Sequence, residues 1–461
     1  MLLQLAAAVC LVLPTASLHA QPPQQHQPVL LISIDGMRPD YVTGADEHHL
    51  RIPTLRHILT TGTFADGVIG VLPTVTYPSH TTLITGVWPK EHGILNNQRF
   101  DPERKLSGAW YWYADQIKVP TLWSAAHDAG LGTASVGWPV TVDATSIDYD
   151  LPEYWRTPSL GVPANPDDRF LMNAISRPDG EIARISERTG TPYMMGNDTS
   201  LAGDEVKTIY ALDILQQHRP QFMTIHLSSL DEEEHFHGPF STEADADLEG
   251  LDGMVQRLVA KELSIYPNAV IAIVSDHGFA PVEHDVNLAI PFLQAGLIQT
   301  GKSLFGTTVV TSWQAEPWPS GCVAPIMLHD PADAATRTKV EQLLQHLSAD
   351  PANGIEAVLD HSATTQLGGF PDAAFLVTFK TGYCNGGALT GALVSPSLEK
   401  GAHGYNIATT PAMRSSFFVI GKGIAMGKDL GIVDMRQIAP TLAHILGVTL
   451  NTASQPALPV H

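Results

Sequence analysis

With 461 residues, 44% of them hydrophobic and 16% charged, the chain has the composition of a folded globular protein and not of a disordered one. Its formal charge of −21 repels polyphosphate backbones, which argues against a nucleic-acid-binding module while leaving small anions admissible as substrates. The length could hold two or three average domains, but α/β enzymes often run past the average as one elaborated domain.

The chain opens with MLLQLAAAVCLVLPTASLHAQPPQQHQP, which is apolar from Leu2 to Leu13, small through Ala20 and then rich in Gln and Pro. This pattern predicts a secretory signal peptide over residues 1–20, removed near Ala20, and hence an exported protein, periplasmic or secreted. The apolar run is well short of the ~20 residues a bilayer span requires, and no later segment is apolar enough to provide one. Beyond the leader only Cys322 and Cys384 remain, and in an oxidising compartment they either pair or stay as two buried thiols. Neither has the CxxC spacing of a structural zinc site, so any metal must be held by His and carboxylates.

PVLLISIDG, residues 28–36, is a short continuous apolar run ending in an acid and a glycine, the pattern of a buried parallel strand that delivers Asp35 at its carboxyl end. The pattern returns in QFMTIHLSSLD, which leads to Asp231, and in AVIAIVSDHG, which leads to Asp276 and His277. Each follows a helical stretch, DEVKTIYALDILQQH and LEGLDGMVQRLVAKEL. Strands alternating with amphipathic helices predict an α/β fold, a doubly wound, mostly parallel sheet sandwiched by helices, whose ligand sites gather at the carboxyl ends of the strands. TLWSAAHDAGLGTASVGWP adds a helix and a strand, RSSFFVIG reads as a late strand, and DMRQIAPTLAHILGV as a closing helix ended by Gly447. Residues from about 301 to 400 break this rhythm with Pro/Gly-rich loops, one helix (AATRTKVEQLLQHL) and candidate strands (GIEAVLD, AAFLVTF). They read as an α+β insertion packed on the main sheet within a single domain spanning 21–461.

The chemistry-bearing residues at strand ends and in glycine-flanked loops are Asp35, Thr76, Asp231, His235, Asp276, His277 and His403. Carboxylates and imidazoles without thiols suit zinc or another borderline divalent ion, and six such ligands with one hydroxyl are enough for two metals ~4 Å apart. Singly, each has a bland explanation: Asp35 before a glycine can be a turn residue, and the acids of LDEEEHFHGP can be a solvated helix start. Their joint occurrence in one order is what carries weight.

That order and wording resemble the nucleotide pyrophosphatase/phosphodiesterase family of the alkaline phosphatase superfamily. The resemblance runs from ISIDGMRPDY through PTVTYPSHTTLITGVWPKEHGILNN, DEEEHFHGP, VSDHGF and GAHGYN to IAPTLAHILG. It implies an alkaline phosphatase-like fold and two Zn2+ ions. By that likeness Thr76 is the nucleophile and shares one zinc with Asp35, Asp276 and His277, while Asp231, His235 and His403 hold the other. Asn97 falls where the family places an amide donor to the phosphoryl oxygen, and Tyr77 where it has an aromatic that stacks on a nucleobase. Tyr154 or Trp155 would form the opposite face. Thr74 is an alternative nucleophile, farther from the expected helix start and off the family match.

The implied reaction is hydrolysis of a phosphodiester or pyrophosphate bond of a nucleotide or related small molecule through a covalent threonyl phosphoester, releasing a nucleoside 5′-monophosphate. In the stretch after the site, SVGWPVTVDATSIDYDLPEYWRTP, Arg156 is the only base, which favours a singly charged diester over a dianionic monoester. Choline-type phospholipid phosphodiesterase and phosphomonoesterase or phosphonate hydrolase activity on the same metal core are the rival readings. Two positions depart from the family pattern: Glu234 stands where a glycine is usual, and Asn406 replaces the usual aspartate in HGYN.

Overall fold

Val29–Ile34 carries apolar side chains on both faces and is stable only inside a sheet covered on both sides, which is where the computed structural model of the chain places it. The structure describes residues 26–102, 109–156, 168–193, 196, 198–302 and 308–461, so the leader expected over residues 1–20 lies outside the described residues.

In chain order, strands β1 (Val29–Ile34) and β2 (Thr63–Phe64) precede helix α1 (Thr76–Thr85) and strands β3 (Thr133–Val136) and β4 (Tyr149–Leu151). Helix α2 (Leu201–His218), strand β5 (Phe222–Leu227), helices α3 (Ser229–His237) and α4 (Thr242–Ile265), and strand β6 (Val270–Val274) follow. Next come β7 (Ala315–Pro317), β8 (Val323–Leu328), α5 (Ala334–Ser348), β9 (Ile355–Asp360) and β10 (Phe375–Phe379). The chain closes with β11 (Phe417–Gly421), β12 (Lys428–Asp429) and α6 (Ile438–Leu446), the last ended by Gly447 in the left-handed region.

The eight-stranded central sheet has the order β12-β2-β11-β6-β1-β5-β3-β4. Strands β6, β1, β5, β3 and β4 run parallel, while β11 is antiparallel to both β6 and β2. Side chains alternate across β1: Leu30, Ile32 and Ile34 join one core with residues of α2 and α4, and Val29 and Leu31 join the other with residues of α1 and α6. Each such side chain contributes about 1.5–3 kcal/mol by leaving water, so both faces of the strand stabilise its central place. Ser33 of β1 pairs in register with His226 of β5 and Val274 of β6, so the three strands end level and the residues that follow emerge along one edge.

Strands β7, β8, β10 and β9 form a separate antiparallel sheet, on which α5 packs through Val340 and Leu344 against Ile326, Val377 and Phe379. Cys322 and Cys384 form a disulfide in a small core with Ala402, Tyr405 and Met413. The Cys322 amide donates to the His403 carbonyl, 3.0 Å away, so the bridge stiffens the loop that carries His403. Replacing both cysteines by Ala opens a crosslink between positions 62 residues apart, and a denaturant titration is expected to show a loss of about 4 kcal/mol. Among the described residues no helix is long and apolar enough to cross a membrane.

Candidate functional site

Val75 is extended (φ −131°, ψ 159°) and Thr76 is the first residue of α1, so the punctuated turn before the helix ends by presenting the Thr76 side chain at the helix N-terminus. Pro78, two residues further, sits in the first turn, where a missing backbone N–H costs nothing. Thr74 is placed differently: it is fully buried and its hydroxyl donates to the Tyr405 carbonyl at 2.9 Å. Thr76 lines a cavity of about 430 Å³ together with Asp35, Tyr77, Asn97, Asp231, His235 and His403. A somewhat larger cleft, of about 510 Å³ beside Trp123 and Asp143, contains none of the candidate residues.

The six candidate ligands fall into two groups, Asp35 with Asp276 and His277, and Asp231 with His235 and His403, and within each group the ligand atoms lie within 4.8 Å of one another. Asp35 follows β1 directly, and Asp276 and His277 lie just past β6. Asp231 differs from the expectation of a strand end: β5 stops at Leu227 and Asp231 lies in the first turn of α3, where the helix dipole favours a carboxylate. His235 follows one turn later on the same face, and His403 arrives from the other end of the chain on a loop after Gly401–Ala402. The groups adjoin, with His277 Nε2 4.0 Å from Asp231 Oδ1.

The three imidazoles are held alike. Nδ1 of His403 faces the Thr74 carbonyl (3.0 Å), that of His235 the Gly401 carbonyl (3.2 Å), and that of His277 the Gly278 carbonyl (3.3 Å). Such contacts place the proton on Nδ1 and turn the Nε2 lone pair inward, the arrangement of a metal-ligating histidine. Nε2 of His235 and of His403 lie 3.5 and 3.7 Å from Asp231, and Nε2 of His277 lies 3.0 and 3.3 Å from Asp276 and Asp35. Four of these buried atoms, Asp35 Oδ1, Asp231 Oδ1, Asp276 Oδ2 and His277 Nε2, have no hydrogen-bond partner. Unpaired buried acceptors converging on one point are costly unless a cation joins them, and the donor set fits two borderline divalent ions.

The electrostatics agree with that fit. Burial, reinforced by Asp276 and Asp231, holds the Asp35 carboxyl well above the ordinary range. Burial alone would lower the His277 imidazole, but the Asp276 carboxylate lifts it to about 9, and Asp231 does the same for His235. Burial also opposes ionisation of Asp276, yet the facing His277 and His80 hold its carboxyl below the usual range. A cluster of three carboxylates and three imidazoles thus needs protons or cations to balance it, and divalent ions can supply that charge.

Around this centre the structure gives the expected Asn97 and Tyr77 their partners and adds three residues that sequence reasoning passed over, Trp110, Glu153 and His226. Asn97 Oδ1 accepts the Tyr77 backbone N–H at 2.9 Å, which leaves the amide NH2 as the free end of a side chain lining the cavity. The Tyr77 ring is buried, meets Trp110 edge-on at 5.2 Å, and its hydroxyl donates to Glu153 at 2.7 Å. Glu153 in turn faces His226 Nδ1 (3.2 Å), and His226 Nε2 faces Asp35 (2.9 Å), a buried chain from the aromatic wall to a ligand carboxylate. Trp155 and Trp110 also line the cavity and pack together at 4.7 Å, whereas Tyr154 packs against Trp112. A histidine inside the apolar strand FMTIHL was the signal available in the sequence for His226; Trp110 and Glu153 left none.

Arg156, the base noted beside the site, pairs with Asp168, while Lys207 of α2 lines the cavity. Glu234 is buried and accepts from the Tyr41 hydroxyl at 2.9 Å. Gly36 has φ +73°, a backbone conformation that favours glycine, and a Cβ there would also meet the other Glu234 oxygen at 2.7 Å and the Phe279 ring at 3.0 Å. Asn406 Oδ1 accepts the Ala408 backbone N–H at 3.1 Å.

Comparison with known proteins gives a consistent picture. The family profile described as Type I phosphodiesterase / nucleotide pyrophosphatase matches residues 29–374. Ectonucleotide pyrophosphatase/phosphodiesterase family member 1 of Homo sapiens is 26% identical over 263 residues, covering 54% of this chain and 23% of that protein. Venom phosphodiesterase 2 of Crotalus adamanteus is 23% identical over 271 residues, covering 57% of this chain and 28% of that protein. The match therefore spans about a quarter of the length of these two relatives. Among solved structures, an inactive form of murine ectonucleotide pyrophosphatase/phosphodiesterase 5 in complex with AMP superposes with a TM-score of 0.63 at 18% identity, covering 94% of this chain and 97% of that one. At that identity the likeness concerns the fold, an alkaline phosphatase-like α/β sheet.

Proposed function

This chain belongs to the Type I phosphodiesterase / nucleotide pyrophosphatase family, and on that premise we propose that it hydrolyses phosphodiester or pyrophosphate bonds of nucleotides and related small molecules, with Thr76 as the nucleophile and a nucleoside 5′-monophosphate as product. The observation that carries the reading is the meeting, in one cavity, of a helix-terminal hydroxyl, an amide donor, the Asp231, His235 and His403 group and Asp35 of the adjoining group, behind which Asp276 and His277 are buried. Asp35, Asp276 and His277 would hold one zinc ion and Asp231, His235 and His403 the other, and such ions supply Lewis acidity at phosphoryl oxygens and lower the pKa of hydroxyl and water nucleophiles.

The protein's own residues then have distinct tasks. Thr76 Oγ1 attacks phosphorus in line with the departing oxygen, forming the Thr76 phosphoester as the bond to the leaving group breaks. The free NH2 of Asn97 donates to a non-bridging oxygen, and the N-terminus of α1 favours the negative charge that gathers there. Water then attacks the same phosphorus, the P–Oγ1 bond breaks with its electron pair on Thr76, one water proton restores the Thr76 hydroxyl and the remaining OH stays on the product phosphate. Tyr77, Trp110 and Trp155 offer apolar faces for a base or other ring, each stack contributing ~1 to 3 kcal/mol.

Charge balance favours a diester. Two divalent ions against three ligand carboxylates leave one net positive charge, which a monoanionic phosphate diester matches. The reading is tested by the ratio of kcat/KM for p-nitrophenyl thymidine 5′-monophosphate to that for p-nitrophenyl phosphate. A ratio well above one is expected, and a ratio below one would move the protein to the monoesterases. We infer export from the leader expected over residues 1–20, and the disulfide between Cys322 and Cys384 supports an oxidising compartment.

A further inference from the structure

Strand β5 reads FMTIHL and is buried along its whole length, so an imidazole at its fifth position gives up apolar packing and needs polar partners for both ring nitrogens. It has them. His226 Nε2 lies 2.9 Å from Asp35 Oδ2, and Nδ1 lies 3.1 Å from the Gly137 carbonyl and 3.2 Å from Glu153 Oε2. All three are acceptors, so both nitrogens carry protons and the ring is an imidazolium between two carboxylates. Glu153 is held in turn, its Oε1 accepting from the Tyr77 hydroxyl at 2.7 Å. The sheet does not need this buried charge, since apolar side chains of similar volume often replace buried ion pairs without loss of stability.

The imidazolium divides the two oxygens of Asp35. Oδ2 is taken by His226, whereas Oδ1 has no hydrogen-bond partner and lies 3.3 Å from His277 Nε2, which the equally unpaired Asp276 Oδ2 approaches to 3.0 Å. Register explains the reach: Ser33 of β1 is level with His226, and Asp35, two residues on, lies on the same face. The His226 ring is braced by His80, 4.4 Å away between centroids. His80 is itself fixed, with Nε2 2.9 Å from Ser33 Oγ and Nδ1 2.9 Å from the Thr76 carbonyl.

We propose that His226 is a positioning residue that fixes Asp35 as a single-oxygen metal ligand, with Glu153 and the Tyr77 hydroxyl holding the imidazole in place. The proposal rests on the two-metal part of the phosphodiesterase reading and gives Tyr77 a task besides offering its face to a ring. A catalytic zinc keeps an open position, and a carboxylate restricted to one oxygen cannot close it. Partners of this kind, behind the ligands themselves, also set how firmly a metal is held.

The test titrates zinc into the metal-free protein in competition with a chromophoric chelator, which reads both sites without substrate. In His226→Leu the affinity of one site is expected to fall about 10- to 100-fold while the other is unchanged. A general loosening of the fold would weaken both. His226→Gln, whose amide can still donate to Asp35, is expected to recover most of the affinity. Both sites weakened alike, or neither weakened, overturns the proposal. Tyr77→Phe keeps the ring, removes only the hydroxyl and is expected to weaken the same single site. Zinc affinity unchanged in Tyr77→Phe removes the hydroxyl from the chain, and where His226→Leu does not fold it overturns the proposal outright. A wild type that binds zinc at both sites yet hydrolyses no phosphodiester counts against the phosphodiesterase reading alone. A wild type that binds no zinc overturns the two-metal reading and this proposal with it.

Discussion

Thr76→Ala is expected to abolish turnover while leaving intact the fold and the six Asp and His side chains that would hold metal. The hydroxyl is the one nucleophile at the N-terminus of α1 that faces the cavity; the neighbouring Thr74 is fully buried with its proton donated to the Tyr405 carbonyl and cannot take over. Loss of a covalent nucleophile costs about a thousandfold to a millionfold in kcat, the remainder coming from the other charge-stabilising groups. Alanine is a good helix former, so Thr76→Ala should cost little stability, and thermal unfolding should show a melting temperature close to that of the wild type. Thr76→Ser keeps an oxygen at the same position and is expected to recover part of the rate. Undiminished turnover in Thr76→Ala would mean that the covalent step is not made at this residue.

The second large effect is expected from metal removal. Stripping the protein with a chelator should abolish activity and lower the melting temperature, and zinc should restore both. The physical reason is the crowding of Asp35, Asp231 and Asp276 with three imidazoles in a buried site where four ligand atoms have no other partner. A ligand that binds only the folded state stabilises it by about 4 kcal/mol at a free concentration a thousand times its Kd. Because ligation requires neutral imidazoles and ionised carboxylates, protons compete with metal, and the melting-temperature advantage of the metal-loaded protein should shrink as the pH is lowered. Full activity and an unchanged melting temperature after verified removal of all metal would sink the two-metal reading.

The strands that carry the candidate ligands were legible because a parallel strand covered on both faces must be a continuous apolar run, and the polar residue that ends the run marks the sheet edge. Asp35 after β1 and the Asp276–His277 pair after β6 follow that rule. Asp231 follows it less closely: α3 begins at Ser229, so the carboxylate enters from a helix turn, a boundary that strand-like patterning does not reveal. The late strand β11 was legible as a strand but not as antiparallel, since direction depends on where the chain has travelled and leaves no trace in a five-residue apolar segment. Arg156 drew attention because it adjoins the site in sequence, yet it pairs with Asp168, whereas Lys207, hidden in an ordinary amphipathic helix, faces the cavity.

The residue types determined what the site could be made of: thiols are too few and wrongly spaced, so any metals must rest on Asp and His, and a threonine before a proline-marked helix start is the available hydroxyl. Hydrophobic periodicity likewise determined an alternating α/β sheet, because only strands buried on both faces tolerate such uninterrupted apolar runs. The tertiary structure alone decided which side chains meet. His226 reaches Asp35 across 191 residues, Tyr77 reaches Glu153 across 76, and the disulfide spans 62. Contacts of that separation depend on strand order, register and helix packing, which arise from the whole core at once and from no local stretch of sequence.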